Sequence, residues 1–107
     1  MALDFGAMGE LVKQAQTMQK KVTEMQAELA RRTVSASSGG GMVTVTANGS
    51  QEIISIKLEK EIVNPDDVDM LADLVLAAVN EALKKTKDMA AQEMSNITGG
   101  LNLPGIF

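Results

Sequence analysis

Asn64-Pro65-Asp66-Asp67 opens about thirty residues of unbroken helical spacing. Asparagine is a good N-cap, proline suits the first helical position, and aspartates in the first turn sit where the helix dipole favours negative charge. Behind this start, Val68, Leu71, Leu74, Val75, Ala78, Val79, Ala82 and Leu83 form a wide apolar stripe that predicts the main core helix. Met89, Ala90 and Met94 carry the spacing on to about Asn96, and Gly99-Gly100 reads as the stop. A helix over about 65–97 is roughly 45–48 Å long. A compact chain of 107 residues has a radius of gyration of only about 13 Å. Such a helix must project from its own domain, and a projecting apolar stripe is best buried by a second copy, so this one element predicts a homodimer.

A second helical pattern precedes it. Met8, Leu11, Ala15, Met18, Val22, Met25 and Leu29 follow a 3-4-3-4 spacing without an error, which is a heptad seam over three repeats. The residues between them are helix-compatible and polar, and predict a helix over about 8–31, roughly 35 Å long. A stripe this narrow suits contact with one partner helix, or with the chain's own sheet.

At Thr33 the pattern turns to β-branched and small residues, and residues 34–37 read as a short strand before Gly39-Gly40-Gly41. Residues 42–47 then alternate with period two, Asn48-Gly49 supplies the preferred two-residue hairpin turn, and residues 53–58 return. With Ala47 and Ser50 flanking the turn, Val43, Val45 and Ala47 share a face with Ile54, Ile56 and Leu58, while Thr44, Thr46, Ser55 and Lys57 face the other way. The whole is an α+β fold in one domain over residues 1–107: helix, small antiparallel sheet over about 33–58, long helix, and an apolar tail over 99–107. That tail, with Leu103, Ile106 and Phe107, either docks on a groove of its own or the partner chain or frays.

Composition removes most chemistry. Cys and His are absent, so there is no disulfide, thiolate, imidazole base or zinc-finger ligand set. The triple glycine is followed by a strand and lacks the Lys-Ser or Lys-Thr pair of a phosphate loop, so it reads as a flexible connection. Asp66, Asp67, Asp69 and Asp73 follow a capped helix start and lack the tight glycine-containing turn of a cation loop. No catalytic residue, cofactor or metal is expected. Apolar runs such as residues 74–79 are short and Asp4 precedes any basic residue, so neither a membrane span nor a secretory signal is expected, and a cytoplasmic protein is.

The net charge is −4, unevenly spread. Lys13, Lys20, Lys21, Arg31 and Arg32 lie on and just beyond the first helix, with Lys13 and Lys20 seven residues apart opposite the apolar seam. They read either as a face for a polyanion or as a plain solvated face. Lys84, Lys85 and Lys87 form a second patch, flanked by Glu81 and Asp88. With Phe5 and Phe107 as its only aromatics, the chain has no platform for stacking single-stranded bases. A helix-hairpin-helix layout also suits a prefoldin-like chaperone arm or a coiled-coil adaptor for protein partners, in which the helices pair along most of their length.

Four blocks in order give the chain a more specific likeness: residues 11–19 (LVKQAQTMQ), 39–49 (GGGMVTVTANG), 68–82 (VDMLADLVLAAVNEA) and 99–107 (GGLNLPGIF). In these the chain resembles the YbaB/EbfC family of bacterial nucleoid-associated proteins. The resemblance implies a small homodimer with helices projecting like the arms of tweezers. It also implies binding of double-stranded DNA in the bacterial cytoplasm and nucleoid with altered DNA conformation, and neither enzymatic activity nor a cofactor. On that expectation Lys13, Lys20, Lys21, Arg31 and Arg32 meet the phosphate backbone, with little sequence preference because no recognition helix is present. The expected dimer interface comprises Val43, Val45, Ile54 and Ile56 on the sheet with Leu71, Leu74, Val75 and Ala78 on the helix.

Overall fold

Two long helices and a three-stranded antiparallel sheet make up the computed structural model, which describes residues 5–101. Helix α1 (Phe5–Arg31) leads into β1 (Thr33–Ser38), β2 (Val43–Asn48) and β3 (Ile53–Leu58), and α2 (Val68–Leu101) follows. The strands lie in sequence order, β1-β2-β3. This is the expected α+β arrangement, with both helices longer than expected. The tail at 102–107 lies outside the described residues.

The hairpin between β2 and β3 forms, but not through the expected turn. Its loop has three residues, Gly49, Ser50 and Gln51, closed by Asn48 N donating to Glu52 O at 2.9 Å, and Gln51 takes the left-handed conformation at φ 64°. Asn48 Oδ1 accepts from the amides of Ser50 and Glu52 and holds the loop from inside. Val45 therefore pairs with Ile56 and Val43 with Leu58, a slide of four residues along β3 from the expected register. An even slide keeps Ile56 and Leu58 on the expected face, beside Val45 and Val43. The register then shifts between Thr46 and Ala47, where Ile54 is left over as a bulge.

The connection between β1 and β2 is a tight turn rather than a flexible link. Gly39, Gly40 and Gly41 take φ of 61°, 68° and 93°, a run that side chains with a Cβ rarely adopt. Ser38 Oγ, just before it, donates to Leu74 O at 2.6 Å and ties the turn to α2.

Helix α2 lies over β1 and β2. Ala78, Ala82 and Thr86, spaced four apart, are fully buried, and their small size lets the helix approach Val43, Val45, Ala47 and Ala36 closely. Full burial of Val43 and Val45 stabilises by about 1.5–3 kcal/mol each. Thr86, the buried polar residue, satisfies its hydroxyl on Leu83 O at 2.6 Å.

The helix starts three residues later than expected from Asn64-Pro65. Asn64 Oδ1 instead accepts from Asp66 N at 2.9 Å and builds a turn, and Asp67 Oδ1 accepts from Met70 N at 3.2 Å as the actual N-cap. At the other end Gly99 and Gly100 do not stop α2, which runs to Leu101. Glycine costs a helix about 1 kcal/mol relative to alanine, which weakens but does not by itself end it.

Helix α1 does not cover the sheet. Arg32 Nη1 donates to Glu93 Oε1 at 2.8 Å, which fixes the end of α1 beside the outer part of α2. Glu93 is about 37 Å along α2 from Val68, and α1 adds about 40 Å more. Together these lengths account for the molecule's 78 Å long axis, so α1 runs outward, antiparallel to α2. The radius of gyration, 21.2 Å, is far above that of a compact chain. Leu101 lies about 12 Å beyond Glu93, level with about Glu24, so the outer part of α1, roughly residues 5–23, extends past α2. Burial follows the same gradient: Leu29 is buried, Met25, Val22 and Met18 are half-buried, and Ala15, Leu11 and Met8 are exposed.

Candidate functional site

The projecting part of α1 carries three lysines against one carboxylate, Glu10 near its tip. Residues 11–23 hold Lys13, Lys20 and Lys21 and no carboxylate. All three lysines are exposed, and among the described residues none of them makes an ion pair. Lys13 and Lys20 are about 10.5 Å apart along the axis on nearly the same side of the helix, with Lys21 about 100° round. A DNA strand places one phosphate per 3.4 Å of axis, so the pair spans about three phosphates.

Arg31 and Arg32 differ in kind from the lysines. Arg31 Nη2 bonds Glu28 Oε2 at 2.6 Å, and Arg32 is held by Glu93. The Arg31 hydrogen bond and charge, with a smaller contribution from Arg32, keep the Glu28 carboxyl below the usual glutamate range. Arg31 lies on the lysine side of α1 but about 16 Å from Lys20 towards the root. The five expected residues therefore divide into three free lysines on the outer arm and two paired arginines at its base.

The second basic patch is divided as well. Lys85 Nζ donates to Ser35 O at 2.8 Å along the β1 edge, while Lys84 and Lys87 are exposed and make no ion pair among the described residues.

The acidic residues that dominate the net charge lie at the opposite end. Asp66, Asp67, Asp69 and Asp73 cluster at the start of α2, on the order of 50 Å from Lys20 along the long axis. The Debye length near physiological salt is about 8 Å, so the outer lysines present a local field that the aspartates do not reach. Among the described residues no group of His, Cys, Asp or Glu has the arrangement of a metal site, and no helix is long and apolar enough to cross a membrane.

The eight residues expected at a dimer interface also divide. Val43, Val45 and Ala78 are fully buried inside the chain and have no surface left for a partner. Leu74 is half-buried, its methyls against the turn at Gly39. Leu71 and Val75 are half-buried, and Ile54 and Ile56 are 54% and 46% exposed. Because α2 covers β1 and β2, every residue of β3 is exposed. Beside it, Val68, Leu71, Ala72, Val75, Leu76 and Val79 line an almost purely apolar groove along α2. Leu58, Val68 and Leu76 join this surface although the sequence reading left them out of the interface. The available signal was the width of the α2 stripe, more than one sheet face can cover.

The model of the YbaB/EbfC DNA-binding family matches residues 5–101. A nucleoid-associated protein of Syntrophobacter fumaroxidans is 53% identical over 95 residues, covering 89% of this chain and 86% of that protein. One from Pelotomaculum thermopropionicum is 52% identical over 102 residues, covering 95% and 97%. The crystal structure of an uncharacterized protein from Helicobacter pylori superposes with a TM-score of 0.72 at 22% identity, over 91% of this chain and 99% of that one, a likeness of fold.

Proposed function

The chain belongs to the YbaB/EbfC DNA-binding family, and from that premise we propose that its outer arm is what meets DNA. It is a nucleoid-associated DNA-binding protein. In our reading Lys13, Lys20 and Lys21 of α1 contact the phosphate backbone of duplex DNA, and Arg31 and Arg32 brace the base of the arm. The observation that carries this is the segregation of charge: a carboxylate-free stretch with three lysines stands clear of the body, with the acidic cluster far from it. An acidic protein can thereby approach a polyanion with one end.

Two copies joined through β3 and the apolar flank of α2 bury what a single chain leaves open, and the pair carries two arms. Arms that touch phosphates hold DNA with little regard to sequence and favour shapes that suit their spacing, which alters its conformation. The reading includes no catalytic step, no cofactor and no small-molecule substrate, and it places the protein on the nucleoid in the bacterial cytoplasm. A client-binding chaperone needs helices paired along most of their length, whereas α1 and α2 overlap over only about 12 Å.

The test is fluorescence anisotropy of two unrelated labelled duplexes at low and near-physiological salt. Six arm lysines in a dimer predict binding to both, with log affinity falling against log salt at a slope approaching −5. Replacing Lys13, Lys20 and Lys21 by Gln flattens the slope and weakens binding to both duplexes alike. No binding at low salt overturns the function, and an unchanged slope in the triple variant overturns the site.

A further inference from the structure

The apolar seam of α1 continues past the end of α2 with nothing described against it. Leu11 is 64% exposed, Val12 beside it 53% and Met8 50%, and Ala15 is exposed too. Nearer the root the same seam is occupied. Leu29 is buried, Met25 and Val22 are half-buried, and the hairpin loop and Ala90 of α2 face Leu29 and Met25. Exposed apolar residues in register along one helical face gain from a cover. DNA is not that cover, because Lys13 and Lys20 lie on the opposite side of the helix and a duplex held by them leaves Leu11 and Met8 untouched.

The free seam is complementary to itself. Its 3-4 spacing is that of a helix that pairs with another helix. Residues beside such a seam commonly carry the charges that choose partner and orientation, but Val12, Gln14 and Gln19 carry none, so a second copy of this segment meets no repulsion there. Helix α2 decides the orientation. Parallel copies would meet along the whole seam, yet from about Glu24 to Leu29 the place of a second helix is already held by α2. An antiparallel copy enters from the open end. Turned about a two-fold axis level with Lys13, Leu11 of each copy faces Ala15 of the other, and Met8 faces Met18, so a large side chain meets a small one in the inner layers. Phe5, where the described helix of the second copy begins, then comes level with Lys21, about 4.5 Å short of the end of α2.

We propose that the outer halves of α1 from two copies pair antiparallel, tip past tip, through Met8, Leu11, Ala15 and Met18. Packed helix axes lie about 8–10 Å apart, and Lys13 and Lys20 of both copies point away from the contact, further from one another than the Debye length of about 8 Å. The joined arms thus present lysines on two opposite outer sides. That these sides hold phosphate rests on the reading of the lysines above, whereas the pairing does not. An overlap of about three helical turns is short, so it forms where copies are concentrated rather than in dilute solution.

The chain has no cysteine, so a single introduced thiol can form a disulfide only with another copy. Chain carrying Leu11→Cys, labelled with 15N, is mixed at high concentration with unlabelled chain carrying Ala15→Cys, oxidised mildly without DNA, and the products are told apart by mass. Chain carrying Lys13→Cys, on the outer side, measures collision alone. All three positions are exposed, so these exchanges leave the helix in place. The mixed Leu11→Cys with Ala15→Cys disulfide is expected to exceed both self-disulfides well beyond its statistical share. Self-disulfides in excess overturn the proposal in favour of a parallel pair, and a mixed yield no higher than that of Lys13→Cys overturns any pairing of the arms. With DNA absent from the reaction, neither result depends on which residues bind it.

Discussion

Gly49 shows how one residue can be read correctly and still build something unexpected. Asn48-Gly49 signals a hairpin, and a hairpin is present, but Gly49 N donates to Leu29 O at 2.9 Å and to Arg32 O at 3.1 Å. It serves the C-terminal end of α1, whose last carbonyls lack helical partners. A Cβ added at Gly49 would lie 2.4 Å from Leu29 O and 2.8 Å from Leu29 C, both backbone atoms that cannot give way. Gly49→Ala is therefore expected to cost at least about 2 kcal/mol, read as a lower midpoint in chemical denaturation. The hairpin was legible because its signal is local. The three-residue loop was not, because what selects it is the end of a helix eighteen residues upstream. Glu28 offers a gentler prediction at this scale. Its carboxyl is held below the usual range chiefly by Arg31, so the pair contributes at neutral pH and its contribution fades as pH falls through that lowered value. Arg31→Gln moves the Glu28 titration upward, towards an ordinary glutamate, in an NMR pH series.

Among the elements, α2 was the most legible in existence and the least in its ends. Its apolar spacing is long and regular, which periodicity captures well. Its start was misplaced because Asn64 and Asp67 are both competent caps, and Pro65 at the second position of a turn fits the Asn64 turn as well as it fits a helix start. The structure makes a sharp distinction between them. Asp67→Ala removes the acceptor for Met70 N and is expected to cost about 1 kcal/mol in thermal or chemical unfolding. Asn64→Ala removes a turn bond outside the helix and is expected to cost less. The stripe of α2 predicts the main core helix, with its projecting part left to a second copy, and only Ala78 and Ala82 of it are fully buried within the chain. Spacing tells which residues share a side of a helix, but not how far that side is covered.

At the scale of the whole molecule the arm was foreseeable from length alone, because a helix of this size exceeds the domain that bears it. Which helix would reach furthest was not foreseeable. The two overlap only near Arg32 and Glu93, and that pairing joins residues 61 positions apart. The candidate lysines were legible as a charge pattern, while their standing clear of the body, with no ion pair among the described residues, emerged only from the course of α1. The dimer proposal gains a clean test from the same architecture. Leu76 is 59% exposed and Ile54 54% in the single chain, so charging them does not disturb its core. Leu76→Glu with Ile54→Glu is expected to keep the wild-type helicity by circular dichroism while the mass in solution falls from twice 11.3 kDa to 11.3 kDa. An unchanged mass would place the interface elsewhere. The arm is also a lever. Its root is the contact of Leu29 with Gly49 and the Arg32–Glu93 pair, and its tip is about 40 Å away. A pivot of 5° at that root swings the tip through about 3.5 Å, about the rise of one base pair. In the proposed pair the span between two such tips is set by small angles at the root, where a few ångströms of packing act with a long mechanical advantage.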